Sequence, residues 1–280
     1  MLGEIRPLTP HEFSLFRSLV EAETGIFLSD VKLALVNARL LARIRELGLK
    51  TFSEYYDRVL GSPDDELVRM INAICTNETH FFREPAQFAL LSKSVLPRLA
   101  SEAERGERPR RIRVWCAACS TGEEPYSVAM LLLDALPDWS IEIVASDLST
   151  KVLARAVAGI YPMTRLRDVP LDFQKRFLLR GVGPQEGKFC VSAPVRKLID
   201  FTRVNLVVGQ LPELGSFDLV LCRNVLMYFR PETRLDVVRR LLSRLVPNGH
   251  LCVGHSESLH GVEGLRTVIP TVYQLLDEAA

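Results

Sequence analysis

Two adjacent carboxylates, Glu123 and Glu124, close a turn of small residues, Cys116-Ala-Ala-Cys119-Ser-Thr-Gly-Glu-Glu-Pro-Tyr126. The apolar run Ile112-Arg-Val-Trp115 precedes the turn and the helical Ser127-Val-Ala-Met-Leu-Leu-Leu133 follows it, which predicts strand, turn, helix. At the carboxyl edge of a parallel sheet such a turn lets a ligand approach the backbone and offers it the unpaired N–H groups of a helix N-terminus. A phosphate cradle would need Gly-x-x-x-x-Gly-Lys-Ser/Thr and a dinucleotide fingerprint Gly-x-Gly-x-x-Gly; this turn has neither. Acids in the first helical turn suit hydroxyls or a cationic group, such as a nucleoside bearing an amino acid.

A further acid follows at the end of the next predicted strand, where Ile141-Glu-Ile-Val-Ala145 leads into Ser146-Asp147-Leu148. In dinucleotide-binding folds an acid about 20 residues beyond the glycine turn accepts from ribose hydroxyls. A glycine turn without a phosphate grip, followed by a ribose-reading acid, points to S-adenosylmethionine. Taken alone, Asp147 reads equally well as the N-cap or turn residue ahead of a helix over Lys151 to Ala158.

Other residues carry chemistry in denser clusters. Thr76-Asn-Glu-Thr-His-Phe-Phe-Arg83 mixes Asn77, Thr79 and Arg83 with two phenylalanines, which fits either a segment covering a pocket or a helix capped by Thr76 or Asn77 with the aromatics in the core. Cys222-Arg-Asn-Val-Leu-Met-Tyr-Phe229 follows a predicted strand over 217–222 and brings Arg223 and Asn224 to the same sheet edge. Amino-group methyltransferases place Asn/Asp-Pro-Pro-Tyr/Phe there. Arg-Asn-Val in its place speaks against exocyclic amines as acceptors and, with the near-neutral charge, against a nucleic-acid methyltransferase. Tyr228 reads as a hydroxyl donor near a methyl group or as an ordinary helix-packing residue. His250, His255 and His260 recur at five-residue intervals, which puts them on no common helical or strand face, so no metal site is expected. Gly249 and Gly254 shape a turn near the site.

The elements that must position these groups are legible in the apolar periodicity. Up to Leu99 the pattern is helical: Phe13-x-x-Phe16-x-x-Leu19-Val20, Leu33-x-x-Val36-x-x-x-Leu40-x-x-x-Ile44-x-x-Leu47 and Leu67-Val68-x-x-Ile71 make stripes, and Gly48 closes the second. A charged stretch at 100–110 reads as helix end and linker. From 111 to 280, strands near 112–115, 141–145, 198–203, 217–222, 251–253 and 271–275 alternate with helices near 127–136, 151–158 and 233–245, which implies βαβ units and a mainly parallel, doubly wound α/β sheet. The alternation breaks at about 176–197, where Arg180-Gly-Val-Gly-Pro-Gln-Glu-Gly187 marks an inserted hairpin.

A chain of 280 residues, 48% hydrophobic and 25% charged, fits a folded protein of two modest domains. The net charge of +1 argues against broad nucleic-acid binding. Met1-Leu-Gly-Glu-Ile-Arg-Pro7 has no secretory-signal pattern and no stretch approaches about 20 apolar residues, so a cytoplasmic protein without direct membrane insertion is expected. The six cysteines are scattered in apolar runs and read as packed thiols. Cys116-x-x-Cys119 has no second pair at zinc spacing.

Thr-Asn-Glu-Thr-x-Phe-Phe-Arg at 76–83, Ser-Thr-Gly-Glu-Glu-Pro-Tyr-Ser at 120–127, Ser-Asp-Leu at 146–148, Val-Asn-Leu at 204–206, Cys-Arg-Asn-Val at 222–225 and Gly-His-Ser-Glu at 254–257 together closely resemble the chemotaxis receptor methyltransferases, the CheR family. The six motifs occur in register over nearly the whole chain. The resemblance implies an S-adenosylmethionine-dependent protein-glutamate O-methyltransferase, Rossmann-like, with a helical N-terminal domain and a small inserted β-subdomain. It implies that Asn77, Thr79 and Arg83 reach into the cofactor site, that Glu123 contacts the methionine part and Asp147 the ribose, that Asn205 and Leu206 flank the adenine, and that Arg223 and Asn224 close the pocket. Arg83 and Tyr228 are then the catalytic residues, S-adenosylhomocysteine is the product, and glutamates on the cytoplasmic helical domain of chemoreceptors are the acceptors. A receptor C-terminal peptide at the inserted β-subdomain is a further partner to consider. The cysteines at 116 and 119 depart from the usual small or polar residues and raise the question of thiol sensitivity.

The residues agree with that reaction. A glutamate carboxylate, with a reference pKa of about 4.3, is already ionised at neutral pH, so attack on a sulfonium methyl needs no general base. Positioning is the main task, worth roughly 7–11 kcal/mol in favourable cases. On the predicted helix Val31 to Leu47, Lys32, Arg39 and Arg43 fall within about 40° of one another at 3.6 residues per turn, a basic ridge for an acidic receptor helix or simply a solvated face. The competing functional class is a noncatalytic scaffold that binds S-adenosylmethionine and signals through its N-terminal domain.

Overall fold

The computed structural model describes residues 5–61 and 66–277; residues 1–4, part of the stretch read for a secretory signal, and 278–280 lie outside it. Five helical stretches come first: Pro10–Thr24 (α1), Leu33–Glu46 (α2), Phe52–Gly61 (α3), Val68–Ile74 (α4) and Pro85–Leu90 (α5). A π-helical turn at Leu91–Val95 joins α5 to Leu96–Glu104 (α6). There follow Arg111–Cys116 (β1), Glu123–Ala135 (α7), Ser140–Asp147 (β2), Thr150–Ala158 (α8), Ile160–Pro162 (β3), Leu171–Phe177 (α9), Leu178–Arg180 (β4), Lys188–Val191 (β5), Ala193–Arg196 (α10), Ile199–Arg203 (β6), Phe217–Cys222 (β7), Pro231–Leu242 (α11), Leu245–Val253 (β8), Leu265–Ile269 (β9) and Val272–Leu275 (β10).

The helix ends are written in local chemistry. Thr9 and Glu12 form a reciprocal capping box with Pro10 in the first turn of α1, and Gly25 ends that helix in the left-handed region. Ser149 caps α8 and Gly159 closes it the same way.

Seven strands form the main sheet in the order β6-β2-β1-β7-β8-β10-β9. The pairings among β6, β2, β1, β7 and β8 are parallel, and β10 runs antiparallel between β8 and β9. Successive residues of β1 feed opposite faces: Val114 and Cys116 join the cluster that includes Met130, Ile143 and Leu221, whereas Trp115 joins Val220, Leu226 and Val238. The sheet order reverses at β1, with β2 on one side and β7 on the other. That reversal opens a crevice at the carboxyl ends of these strands, where open α/β sheets hold ligands.

The N-terminal helices bury the predicted stripes together: Phe13, Phe16 and Val20 of α1 meet Val36, Leu40 and Ile44 of α2 and Tyr55 of α3. The expected domain boundary at residue 99 differs from the packing. Phe88, Leu91, Val95, Leu96 and Leu99 belong to the sheet's own core, and an apolar stripe in sequence says nothing about which core it joins. The inserted hairpin, β4 with β5, gains a third strand, β3, from outside the 176–197 span, giving a small antiparallel sheet in the order β3-β5-β4.

Candidate functional site

The crevice is a cleft between the N-terminal helices and the sheet edge, with about 1210 Å³ of space between its walls, part of it open to solvent. Asn77, Thr79, Arg83, Asp147, Asn205, Leu206, Arg223, Asn224 and Tyr228 all line it, as does Lys32 at the N-terminal wall. Ala117, Ala118 and Ser120 form the turn after β1, where small side chains leave room for a ligand beside the backbone.

Residues 75–80, expected either as a pocket cover or as a capped helix, form no helix. The stretch runs along the cleft without regular secondary structure and turns at Phe81–Phe82; Phe81 is fully buried and the Phe82 N–H donates to Ser127 Oγ at 2.9 Å. Thr76 and Asn77 therefore cap nothing, because Pro85, not Thr79, begins the next helix. Arg83 Nη1 donates to the Glu78 carbonyl at 2.9 Å. Four non-glycine residues in the loops around the cleft hold left-handed backbone: Phe82, Glu84, Ser120 and Asn224. Such conformations persist only where surrounding structure imposes them, and they cluster at binding sites.

Asp147 takes the turn role read for it, at the edge of the cleft. Its Oδ2 accepts from Ser120 N–H and its Oδ1 from Ser149 N–H, each at 2.9 Å, so it braces the turn while lining the cleft. Burial raises its pKa above the ordinary range, and the backbone donors of Ser149, Ser120 and Leu148 offset part of the rise.

Glu123 and Glu124 separate. Glu123 is 1% exposed, accepts from Thr121 Oγ1 at 2.6 Å and does not line the cleft, whereas Glu124 does. Both carboxyls are pushed up by burial. Glu124 Oε2 accepts from Arg223 Nη1 at 3.0 Å, and Glu124 Oε1 is buried without a hydrogen-bond partner. Arg223, expected to close the pocket, lines the cleft with its side chain only 2% exposed; it also pairs with Glu84 at 3.3 Å and donates to the Arg83 carbonyl.

Three residues that motif spacing alone did not single out hold the far wall. Glu257 accepts the N–H groups of Gly254, Asn224 and Met227 at 2.6, 2.8 and 3.1 Å, fixing the loop that carries Asn224 and Tyr228. Gly254 is required there, because a Cβ would stand 2.7 Å from the Asn224 backbone nitrogen. Gln87 Nε2 donates to the Val253 carbonyl at 2.8 Å, and Glu84 Oε1 accepts from His255 N–H at 2.9 Å. Glu257 alone had a signal, the Gly-His-Ser-Glu motif; Glu84 and Gln87 had none, since their partners lie more than a hundred residues away.

The basic ridge is partly spent. Arg43 makes a bidentate pair with the buried Glu66 at 2.8 and 2.7 Å, shared with Tyr55 Oη at 3.0 Å, and Arg39 donates to the Ile74 carbonyl and to Thr76 Oγ1. Of the three only Lys32 is exposed. The sequence gives the angular position of a charge, not the acid waiting across the helix pair.

The N-terminal wall is bolted on. Asn205 Nδ2 donates to the Glu23 carbonyl and Phe27 N–H to the Tyr228 carbonyl, both at 2.8 Å, and Ile26 bridges Phe229. Asn205 Oδ1 also accepts from Val207 and Val208 N–H, so its side chain is consumed in shaping the wall beside Leu206. The six cysteines are free thiols; Cys116, Cys119, Cys222 and Cys252 are buried, and burial raises the pKa of each. Among the described residues no three His, Cys, Asp or Glu side chains gather as a metal site, and no helix is long and apolar enough to cross a membrane.

Residues 77–274 match the description "CheR methyltransferase, SAM binding domain", and residues 11–75 match "CheR methyltransferase, all-alpha domain". The chain belongs to the CheR methyltransferase family. Chemotaxis protein methyltransferase 2 of Pseudomonas aeruginosa is 39% identical over 268 residues, covering 95% of this chain and 93% of that protein. The chemotaxis protein methyltransferase of Escherichia coli is 38% identical over 274 residues, 96% and 92% of the two chains, and that of Borreliella burgdorferi 34% identical over 272, 95% of each. This CheR-family chain is an enzyme that uses S-adenosylmethionine.

The cleft suits that cofactor. Its lining combines two acids, Glu124 and Asp147, which suit a ligand with positive charge and hydroxyls, with an apolar wall of Leu148, Val204 and Leu206.

Proposed function

We propose that this enzyme transfers a methyl group to glutamate side-chain carboxylates on the cytoplasmic helical domain of chemoreceptors, releasing glutamate methyl ester and S-adenosylhomocysteine in the cytoplasm. The relatives' names support the chemotaxis setting. The observation that carries the reading is the placement of Arg83 and Tyr228 on one cleft with Asp147 and Glu124.

When bound, S-adenosylmethionine supplies an electrophilic methyl on a sulfonium. The chain's task is then alignment. Asp147 accepts from the ribose, Leu206 and Val204 hold the base on the wall that Asn205 shapes, and Asn77 and Thr79 complete the enclosure. The resemblance also implies a methionine-side role for Glu123, which sits behind the cleft wall, buried beside Thr121. Arg83 holds the acceptor carboxylate by its planar fork, and Tyr228 donates a hydrogen bond beside the transferred methyl. No proton has to be removed, because the acceptor is already an anion. Lys32 meets the acidic receptor surface at the cleft's rim, with Arg39 and Arg43 behind it. The inserted sheet has an edge strand, β4, with Leu179 and Val182 exposed nearby; a receptor C-terminal peptide would add to such an edge as a further strand.

The test is transfer of labelled methyl from S-adenosylmethionine to receptor-enriched membranes. Label released as methanol by mild alkali supports the proposal. Alkali-stable label, or none, refutes it.

A further inference from the structure

The small inserted sheet presents exposed apolar side chains outward, yet its root reaches the cofactor turn. Thr121 precedes Gly122, the N-cap of α7, so its carbonyl stands outside the helical ladder and needs a donor from elsewhere. Tyr161 of β3 supplies one: its Oη donates to Thr121 O at 2.6 Å, with the residue 5% exposed. The same hydroxyl lies 2.9 Å from where a Cβ on Gly122 would stand, so the glycine of the turn and the tyrosine of the insertion fit as a pair.

Just beyond β3 the same segment grips the other wall of the cleft. Arg165 Nη1 donates to the Thr79 carbonyl at 2.7 Å, with its guanidinium 3.9 Å from Glu78. Phe81 plugs into the insertion, edge-on to Tyr161 with ring centroids 5.1 Å apart and 5.9 Å from Phe189 of β5. His80 Nδ1 stands 3.6 Å from Asp168. The stretch that delivers Thr79 and Arg83 to the cleft is thus moored on the inserted sheet from Thr79 through Phe81.

We propose that Tyr161 and Arg165 are positioning residues for methyl transfer, and that the insertion braces the cofactor site from behind its walls. Tyr161 fixes the turn of Ser120 to Gly122. Arg165 fixes the Thr79 backbone, and through it the place from which Arg83 meets the acceptor. The proposal rests on the methyl-transfer reading of the cleft.

Tyr161→Phe removes one hydroxyl and keeps the ring cluster, so the fold stays. Calorimetry with S-adenosylhomocysteine should show about 3- to 10-fold weaker binding, the effect of a buried carbonyl losing its donor. Arg165→Gln should lower kcat on receptor about tenfold with a smaller change in KM for S-adenosylmethionine, and should speed amide exchange at residues 79–83 in the free protein. Arg165→Lys should restore most of the rate, because a single carbonyl needs one donor rather than a planar fork. Wild-type affinity and wild-type exchange in folded Tyr161→Phe and Arg165→Gln overturn the proposal, as does a fall in Tm alone with kcat and affinity intact. Should the wild type bind S-adenosylhomocysteine but methylate no receptor, the acceptor assignment fails while the affinity and exchange results still decide this one.

Discussion

Arg223 reaches Glu124 at 3.0 Å and uses only one of its carboxylate oxygens; the other is buried and bare. A second acid, Glu84, meets the same guanidinium at 3.3 Å. One buried cation therefore serves two acids, Glu124 buried and Glu84 half-buried, and the triad ties the loop after Arg83 to the first turn of α7. Burial is the largest influence on both acids and acts upward. For Glu84, Arg223 and the donors on His255 and Asn224 outweigh it and hold the carboxyl below the ordinary range, whereas Glu124 stays above it.

Arg223→Met should cost about 3–5 kcal/mol near neutral pH, because it strands the buried Glu124 carboxylate and the half-buried Glu84. With the cation gone, burial raises both acids. The folded variant then holds protons that the unfolded chain has released, so its stability falls as pH rises from the unfolded carboxyl value of about 4.3 through the raised folded values. Denaturant melts at pH 5 and pH 7 should show the gap to wild type narrowing at the lower pH; a constant gap would mean the acids do not titrate with Arg223.

Asp147→Asn should weaken S-adenosylmethionine binding at least about tenfold, the loss of a charge-assisted bond worth roughly 1.5–3 kcal/mol. The amide also turns an NH₂ toward Ser120 N–H or Ser149 N–H, where only an acceptor fits. In the wild type, calorimetric affinity should decline as pH drops through the raised pKa of Asp147. Unchanged affinity in the folded variant removes Asp147 from the site.

Arg83→Ala should lower turnover at least about tenfold, and by more than it lowers cofactor affinity, since the fork is assigned to the acceptor. Lysine should rescue it incompletely. Steady-state kinetics at saturating S-adenosylmethionine decides, and wild-type turnover would refute the role.

How much of this was open to reading can be seen residue by residue. The strand-turn-helix at 112–133 and the acid at the end of the next strand, 147, were legible because backbone geometry at a sheet edge demands small residues and strand alternation marks where each strand ends. Tyr161, Glu84 and Gln87 were not, since each is defined by a backbone group distant in sequence. The general helical reading up to Leu99 could not say that Phe88 and Leu96 pack on the sheet. It likewise placed Arg43 beside an apolar stripe without revealing Glu66.

That difference changes what charge reversal does on α2. Arg43→Glu sets a carboxylate against the buried Glu66 and should destabilise the N-terminal helices by about 3–5 kcal/mol. Lys32→Glu changes an exposed charge, so Tm should hold while receptor methylation falls, most clearly at low salt. Equal Tm losses in the two variants would contradict this division.

The central claim is tested most directly by peptide mapping of a receptor cytoplasmic domain after incubation with this enzyme and S-adenosylmethionine, using mass spectrometry to locate each added methyl. The account predicts methyl esters on glutamate side chains, removed by mild alkali and absent with Arg83→Ala. Methyl groups on lysine or on backbone amines, stable to alkali, would contradict it.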